Sequence, residues 1–222
     1  MIEKRIEGKK VEIFKAREFP SPAVFLNTFS DNSKEIYGHL LSLTDRPFSL
    51  IAISSFDWNR DMSPWTCASI SRNSEPLSGG ADSYLDLLLS RIVPDSEMIL
   101  GPVSKRIIAG YSLAGLFAVY SLYRTDVFSR LAVASASLWF PGFMDFVLSN
   151  EMKAAVDKMY FSLGDRERLT SNPYLRTVED VTREIVEHYR ELGIDTEFTL
   201  NPGNHYKDAT GRMARATLSS LE

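Results

Sequence analysis

The segment Gly110-Tyr111-Ser112-Leu113-Ala114-Gly115 holds the residue types that can turn a serine into a nucleophile. It follows a short apolar run, residues 106–109 (RIIA), and leads into an apolar stretch that reads as a helix from about 113 to 123. A serine on such a strand–turn–helix corner is a nucleophile elbow. The corner is tight, so the residues two before and two after the serine must be small. Gly110 meets that need and Ala114 nearly does. The corner lifts the serine hydroxyl above the strand ends. There it sits at a helix N-terminus, where free N–H groups and the helix dipole favour a developing negative charge. By composition alone, G-x-S-x-[GA] arises by chance in roughly one in six chains of this length. The flanking strand and helix lower that risk. The plainer alternative is an ordinary βα turn in which the serine caps the helix.

A serine nucleophile needs a base. The chain has 3 histidines, so elimination works. His188 falls within a helix at 177–192, facing outward beside Glu184 and Glu187, and His39 falls within an early helix. His205 lies in the loop Asn201-Pro202-Gly203-Asn204-His205, just after the last apolar run. Reactive groups converge at the strand ends of an open parallel sheet, which favours His205 as base over a plain loop histidine.

The base needs a carboxylate to fix its tautomer and stabilise the imidazolium. For a serine on this kind of corner, the acid lies between serine and histidine in the chain. After the run 159–163 the sequence reads Gly164-Asp165-Arg166-Glu167. Spacing points Asp165 and Glu167 the same way and does not separate them. Either could instead pair with Arg166 or Arg168, and Asp208 is a weaker third choice. The oxyanion should rest on the N–H of Leu113 and on a second N–H from the loop Asn27-Thr28-Phe29-Ser30-Asp31. Thr28 or Phe29 is the expected donor.

The elements that must carry these groups alternate between short apolar runs and helical patterns. That alternation is the mark of a mostly parallel sheet covered on both faces. Runs at 23–27, 48–53, 106–109, 131–136, 159–163 and 196–200 read as strands, and 11–15 as an antiparallel edge strand. Residues 33–43 read as a helix. In the helix 177–192, Thr177 and Asp180 form a capping-box pattern. Its apolar stripe is Val178, Val181, Ile185, Tyr189 and Leu192, with Gly193 suited to the position after the helix. The connection 54–80 is long and aperiodic, and such loops are often functional. Its Phe56, Trp58, Arg60 and Trp65, together with Tyr111, are candidates for a substrate pocket. The equal alternative is that the loop packs on its own domain.

The bulk numbers fit one α/β domain over residues 1–222. The chain is 44% hydrophobic and 24% charged, with 25 basic and 29 acidic residues for a net charge of −4. The charges are interspersed, so no basic stripe marks a nucleic-acid surface. Cys67 is the 1 cysteine, so no internal disulfide forms, and no Cys/His cluster has zinc spacing. The start, MIEKRIEGKKVEIFKA, has no apolar core of a secretion signal. No apolar run nears the roughly 20 residues that span a bilayer. A cytoplasmic protein without metal or organic cofactor is expected, acting on a small-molecule acyl ester, with self-association into a homo-oligomer left open.

The chain resembles esterases of the α/β-hydrolase superfamily related to esterase D and to the siderophore (enterobactin-type) esterases. The resemblance runs from about residue 23 to the end. It is carried by GYSLAGLFAVYSL around Ser112, SLGDRERLTSNP after the fifth strand, PGNHYKD around His205, and DWNRDMSPW in the long connection. It implies an α/β-hydrolase fold with Ser112 as nucleophile and His205 as base. Many members place the acid three residues after the strand-end glycine, which ranks Glu167 above Asp165. Some siderophore esterases work with a Ser–His pair alone. The chain departs from the group at Ala114, where Gly is usual, and at Thr28-Phe29, where an Asp-Gly pair is usual. Its N-terminal region is short, so one or two edge strands are expected to be missing. The implied reaction is hydrolysis of a carboxylic ester through an acyl-enzyme. The rivals are acyl transfer by the same residues and a non-catalytic binding protein that kept the fold.

Overall fold

The computed structural model describes residues 1–29, 32–70 and 75–222. Its strands are β1 (Ile2–Ile6), β2 (Lys9–Phe14), β3 (Ser21–Asn27), β4 (Ser49–Ser54), β5 (Thr66–Cys67), β6 (Leu77–Ser78), β7 (Val103–Tyr111), β8 (Arg130–Ala134), β9 (Lys158–Gly164) and β10 (Asp195–Asn201). Its α-helices are α1 (Ser33–Leu43), α2 (Trp58–Asp61), α3 (Ala81–Leu87), α4 (Val93–Leu100), α5 (Leu113–Ser121), α6 (Phe143–Ser149), α7 (Val178–Glu191) and α8 (Ala209–Leu221).

An 8-stranded sheet runs in the order β1-β2-β4-β3-β7-β8-β9-β10. β1 and β2 are antiparallel, β2 meets β4 antiparallel, and every pair from β4 to β10 is parallel. Both faces are covered, so the central strands are apolar on both sides. Alternate residues divide between two cores. Phe25, Ile51, Ile108, Val133 and Phe161 face one way, toward α3, α5 and α7. Val24, Leu26, Leu50, Ile107 and Ala132 face the other, toward α1 and α8. The chain passes from β3 to β4 on one side and then crosses to β7 on the other. That reversal opens a crevice at the carboxyl ends of β3 and β7, the usual seat of a ligand in an open α/β sheet.

Three expectations need correction. The N-terminal edge is not short of strands, because residues 2–14 supply both β1 and β2. β1 (IEKRI) is an edge strand and mostly exposed, so it leaves no apolar run to read. The capping box at Thr177 does not form. A 3-10 turn, Leu175–Thr177, precedes α7, and Thr177 Oγ1 donates to the Tyr174 carbonyl instead. Leu192 lies past the end of α7 and is 57% exposed, so the buried stripe stops at Tyr189. The stretch 81–100 received no element from the sequence, yet it is helical, with a π-helical turn at Leu88–Ile92 joining α3 to α4. The long connection 54–80 also has structure, in α2 and the β5–β6 ribbon, with residues 71–74 outside the described residues.

Candidate active site

Ser112 stands between the end of β7 and the start of α5, with φ 58° and ψ −124°. A non-glycine residue held at positive φ is strained, and such strain concentrates at functional sites. Strand and helix are in close contact beneath it. A Cβ on Gly110 would sit 2.4 Å from the Ala114 carbonyl oxygen. The Ser112 carbonyl accepts from the N–H groups of Gly115, Leu116 and Ser137, which fixes the corner.

His205 comes from the loop after β10, and Glu167 from the loop after β9. His205 Nε2 lies 3.1 Å from Ser112 Oγ, and Nδ1 lies 2.8 Å from Glu167 Oε2. Burial raises the cost of charge on Glu167. Hydrogen bonds from His205, Ser135 and the Gly164 N–H outweigh it and bring the carboxyl from 4.5 down to about 2. An ionised carboxylate only accepts, so Nδ1 carries the imidazole proton and Nε2 is left to accept from the serine hydroxyl. Glu167 Oε1 is held separately, by Ser135 Oγ at 2.6 Å, the Gly164 N–H at 2.5 Å and Arg212 Nη2 at 3.0 Å.

Asp165 does not reach the histidine ring. Its Oδ1 accepts from the Gly203 N–H at 2.8 Å, while the Arg166 N–H donates to the Gly203 carbonyl at 3.0 Å. These bonds tie the β9 loop to the loop that presents His205. Asp208 pairs with Arg215 at 2.9 Å, on the exposed side of α8. His39 is exposed on α1 and His188 lies on α7, neither in contact with Ser112.

Two cavities meet at Ser112 and His205. One, of about 490 Å³, is lined by residues that include Thr28, Phe29, Trp58, Tyr111 and Met213. The other, of about 370 Å³, lies toward Trp139, Arg166, Leu169 and Val178. Leu113 opens α5, so its N–H falls in the first turn, where no intrahelical acceptor exists. Asn27 at the end of β3 pairs with Gly110, and Phe29, two residues further on, lines the larger cavity together with Ser112. The two candidate second donors separate here. The Thr28 N–H donates to the Ile53 carbonyl at 2.9 Å, so it is already used, whereas the Phe29 N–H has no acceptor among the described residues. Ser30 and Asp31 of the same loop lie outside the described residues.

No family model and no curated protein matches the chain. Solved structures do. An IroE-like serine hydrolase from Shewanella oneidensis superposes with a TM-score of 0.79 at 16% identity, over 99% of this chain and 79% of that one. The siderophore hydrolase EstA from Aspergillus nidulans gives a TM-score of 0.72 at 16% identity, over 99% and 93%. The enterobactin hydrolase IroE, in complex with DFP, gives 0.64 at 20% identity, over 96% and 88%. The chain has the α/β-hydrolase fold of siderophore esterases. At these identities the likeness is one of fold.

Within this α/β-hydrolase fold, part of the expected pocket lies elsewhere. Trp58 and Tyr111 line the larger cavity, and Phe29 stacks edge-on against Trp58 at 5.1 Å. Trp65 is held away from it, packed against Phe140, Phe143 and Phe146 with Nε1 donating to the Pro141 carbonyl. Phe56 packs on Tyr84 at 5.0 Å, and Arg60 turns to Asp61. A buried ion pair explains both positions. Lys9 on β2 pairs with Asp61 at the end of α2, and this pins the start of the long connection to the sheet.

Sequence reading missed two groups behind the Ser112 corner. Ser135, at φ 48°, donates to Glu167 and accepts from Arg212. Arg212 is 1% exposed and also reaches Tyr111 Oη at 3.2 Å and the Asn204 carbonyl at 3.4 Å. Tyr111 in turn donates to the His205 carbonyl. The stretch GRMARA holds two arginines, and sequence alone does not separate the buried Arg212 from Arg215 on the exposed face of α8. Among the described residues no group of three or more His, Cys, Asp or Glu could hold a metal ion, and no helix is long and apolar enough to cross a membrane.

Proposed function

We propose that the protein is a serine hydrolase that cleaves a carboxylic ester through an acyl-enzyme on Ser112. One observation carries this reading: the line from Ser112 Oγ through His205 to the ionised Glu167, at 3.1 and 2.8 Å. His205 Nε2 takes the Ser112 proton as Oγ attacks the carbonyl carbon. Glu167 stabilises the imidazolium that results and holds the ring in place. The negative oxygen is received by the N–H groups of Leu113 and Phe29, already fixed by α5 and by the end of β3. His205 then protonates the leaving alcohol, and water repeats the sequence in reverse to free the acid. The fold of siderophore hydrolases supports the same chemistry. So do the two cavities at Ser112, which give room for the acyl and alcohol halves.

A fluorophosphonate probe tests the nucleophile. Labelling of the wild type that disappears in Ser112→Ala supports the reading, and equal labelling of both proteins refutes it. His205→Ala should lower kcat by about 10³-fold or more. Product analysis with and without an added alcohol separates hydrolysis from acyl transfer.

A further inference from the structure

The two cavities beside Ser112 differ in charge. The larger has apolar and neutral polar walls, with no Asp, Glu, Lys or Arg among its described lining residues. An anion placed there would lose its hydration without a partner, at a high cost. The smaller has apolar walls at Trp139, Leu169, Leu175 and Val178, and its described lining residues include the ionic side chains Arg166 and Glu167. The Glu167 charge is occupied by His205, Ser135, the Gly164 N–H and Arg212. The Arg166 guanidinium makes no hydrogen bond or ion pair with any described residue, whereas nearby Arg168 pairs with Glu179 at 3.1 Å.

The placement of Arg166 is fixed by the backbone. Its N–H donates to the Gly203 carbonyl at 3.0 Å, and the Gly203 N–H donates to Asp165. Arg166 therefore stands on the cavity wall shared with the His205 loop. Asn172 Nδ2 donates to the Ile70 carbonyl at 2.7 Å, joining the β9 loop to the long connection beside the same cavity. A guanidinium presents a planar fork that matches a carboxylate, and here it has no partner among the described residues and stands on the wall of a cavity that Ser112 also lines.

We infer that the substrate is an amphipathic ester, apolar in one half and anionic in the other, with the anionic group received by Arg166 in the smaller cavity. This rests on the esterase reading of Ser112.

Two pairs of isosteric esters test it. In the first, butanoate esters of meta-hydroxybenzoic acid and meta-hydroxybenzamide place the charge, or its neutral counterpart, on the alcohol half. In the second, the mono-para-nitrophenyl ester of adipic acid, with its other carboxyl free, and the para-nitrophenyl ester of adipic acid monoamide place it on the acyl half. In at least one pair, kcat/KM for the acidic member should exceed the neutral one by about fivefold, the scale of one partly screened ion pair. Added salt should shrink the ratio. Arg166→Gln should bring the ratio to near one, and Arg166→Glu should bring it below one. Arg166 is exposed, so both variants should fold, with Tm as the check. Equal rates within both pairs, or a preference that survives Arg166→Gln, overturn this inference alone. No hydrolysis of any member, together with no fluorophosphonate labelling, overturns the esterase reading and this inference with it.

Discussion

Arg212 meets Glu167 from inside the protein, with Nη2 3.0 Å from Oε1 and both side chains nearly sealed from water, at 1% and 3% exposure. It lines neither cavity, so in the proposed reaction its influence runs through Glu167 and through the carbonyl of Asn204, the residue before His205. Breaking a buried ion pair from one side leaves the other charge short of a partner, at about 3–5 kcal/mol. Arg212→Met should therefore lose stability on that scale in denaturant unfolding. In steady-state assays with a small ester it should lower kcat while KM stays close to wild type. Arg212→Lys, which keeps the charge but not the fork, should lose less of both. A rise in KM with kcat preserved would show that Arg212 does not position the acid.

Glu167 and Asp165 have different duties, and substitution should separate them. Glu167→Gln keeps the shape but cannot hold the histidine proton as an anion does. A loss in kcat approaching 10⁴-fold is the scale for such a change in a serine triad. Asp165 contacts the backbone of Gly203 and not the ring. Asp165→Asn can still accept that hydrogen bond, so its kcat should fall only a few-fold. A larger loss in Asp165→Asn would reverse the assignment.

The sequence was clearest where local sterics and alternation act. A tight βα corner demands small residues, so Gly110 and Ala114 mark Ser112. Buried parallel strands such as residues 23–27 and 159–163 leave apolar runs. It was silent where long-range geometry decides. Asp165 and Glu167 share a loop and a spacing. The family resemblance ranks Glu167 first, and the fold shows that the backbone of Gly203 takes Asp165 and the ring of His205 takes Glu167. Thr28 and Phe29 are likewise alike in sequence until the register of β3 on β4 gives the Thr28 N–H to Ile53. Trp65 reads as a pocket residue from composition, and the aromatic residues around α6 claim it instead.

The depressed carboxyl of Glu167 has a consequence for stability in acid. Its folded value, about 2, lies below the ordinary 4.5. The unfolded chain therefore binds this proton first as pH falls. The contribution is complete above about pH 4.5 and is lost as pH drops from there toward 2. In that window one extra proton on the unfolded state steepens the loss by about 1.4 kcal/mol per pH unit. Unfolding free energies for wild type and Glu167→Gln, measured across pH 2–5, should show the wild type falling more steeply by roughly that amount. Parallel curves would mean that Glu167 is not held ionised by its partners.

The contact between Gly110 and Ala114 makes the elbow sensitive on one side only. A Cβ at position 110 would meet backbone atoms of Ala114 at 2.4 and 2.5 Å, and backbone cannot swing away as a side chain can. Gly110→Ala must push β7 from α5, and overpacking of this kind costs about 1–3 kcal/mol. The same displacement moves Ser112 from His205, where 3.1 Å leaves little slack. Fluorophosphonate labelling should then fall by far more than the loss of Tm explains. Ala114→Gly goes the other way. It removes a buried methyl from α5 and adds backbone freedom, at about 1 kcal/mol, without crossing the corner. It should label at close to the wild-type rate. If Gly110→Ala labels as fast as Ala114→Gly, the tight corner is not what holds the serine in place.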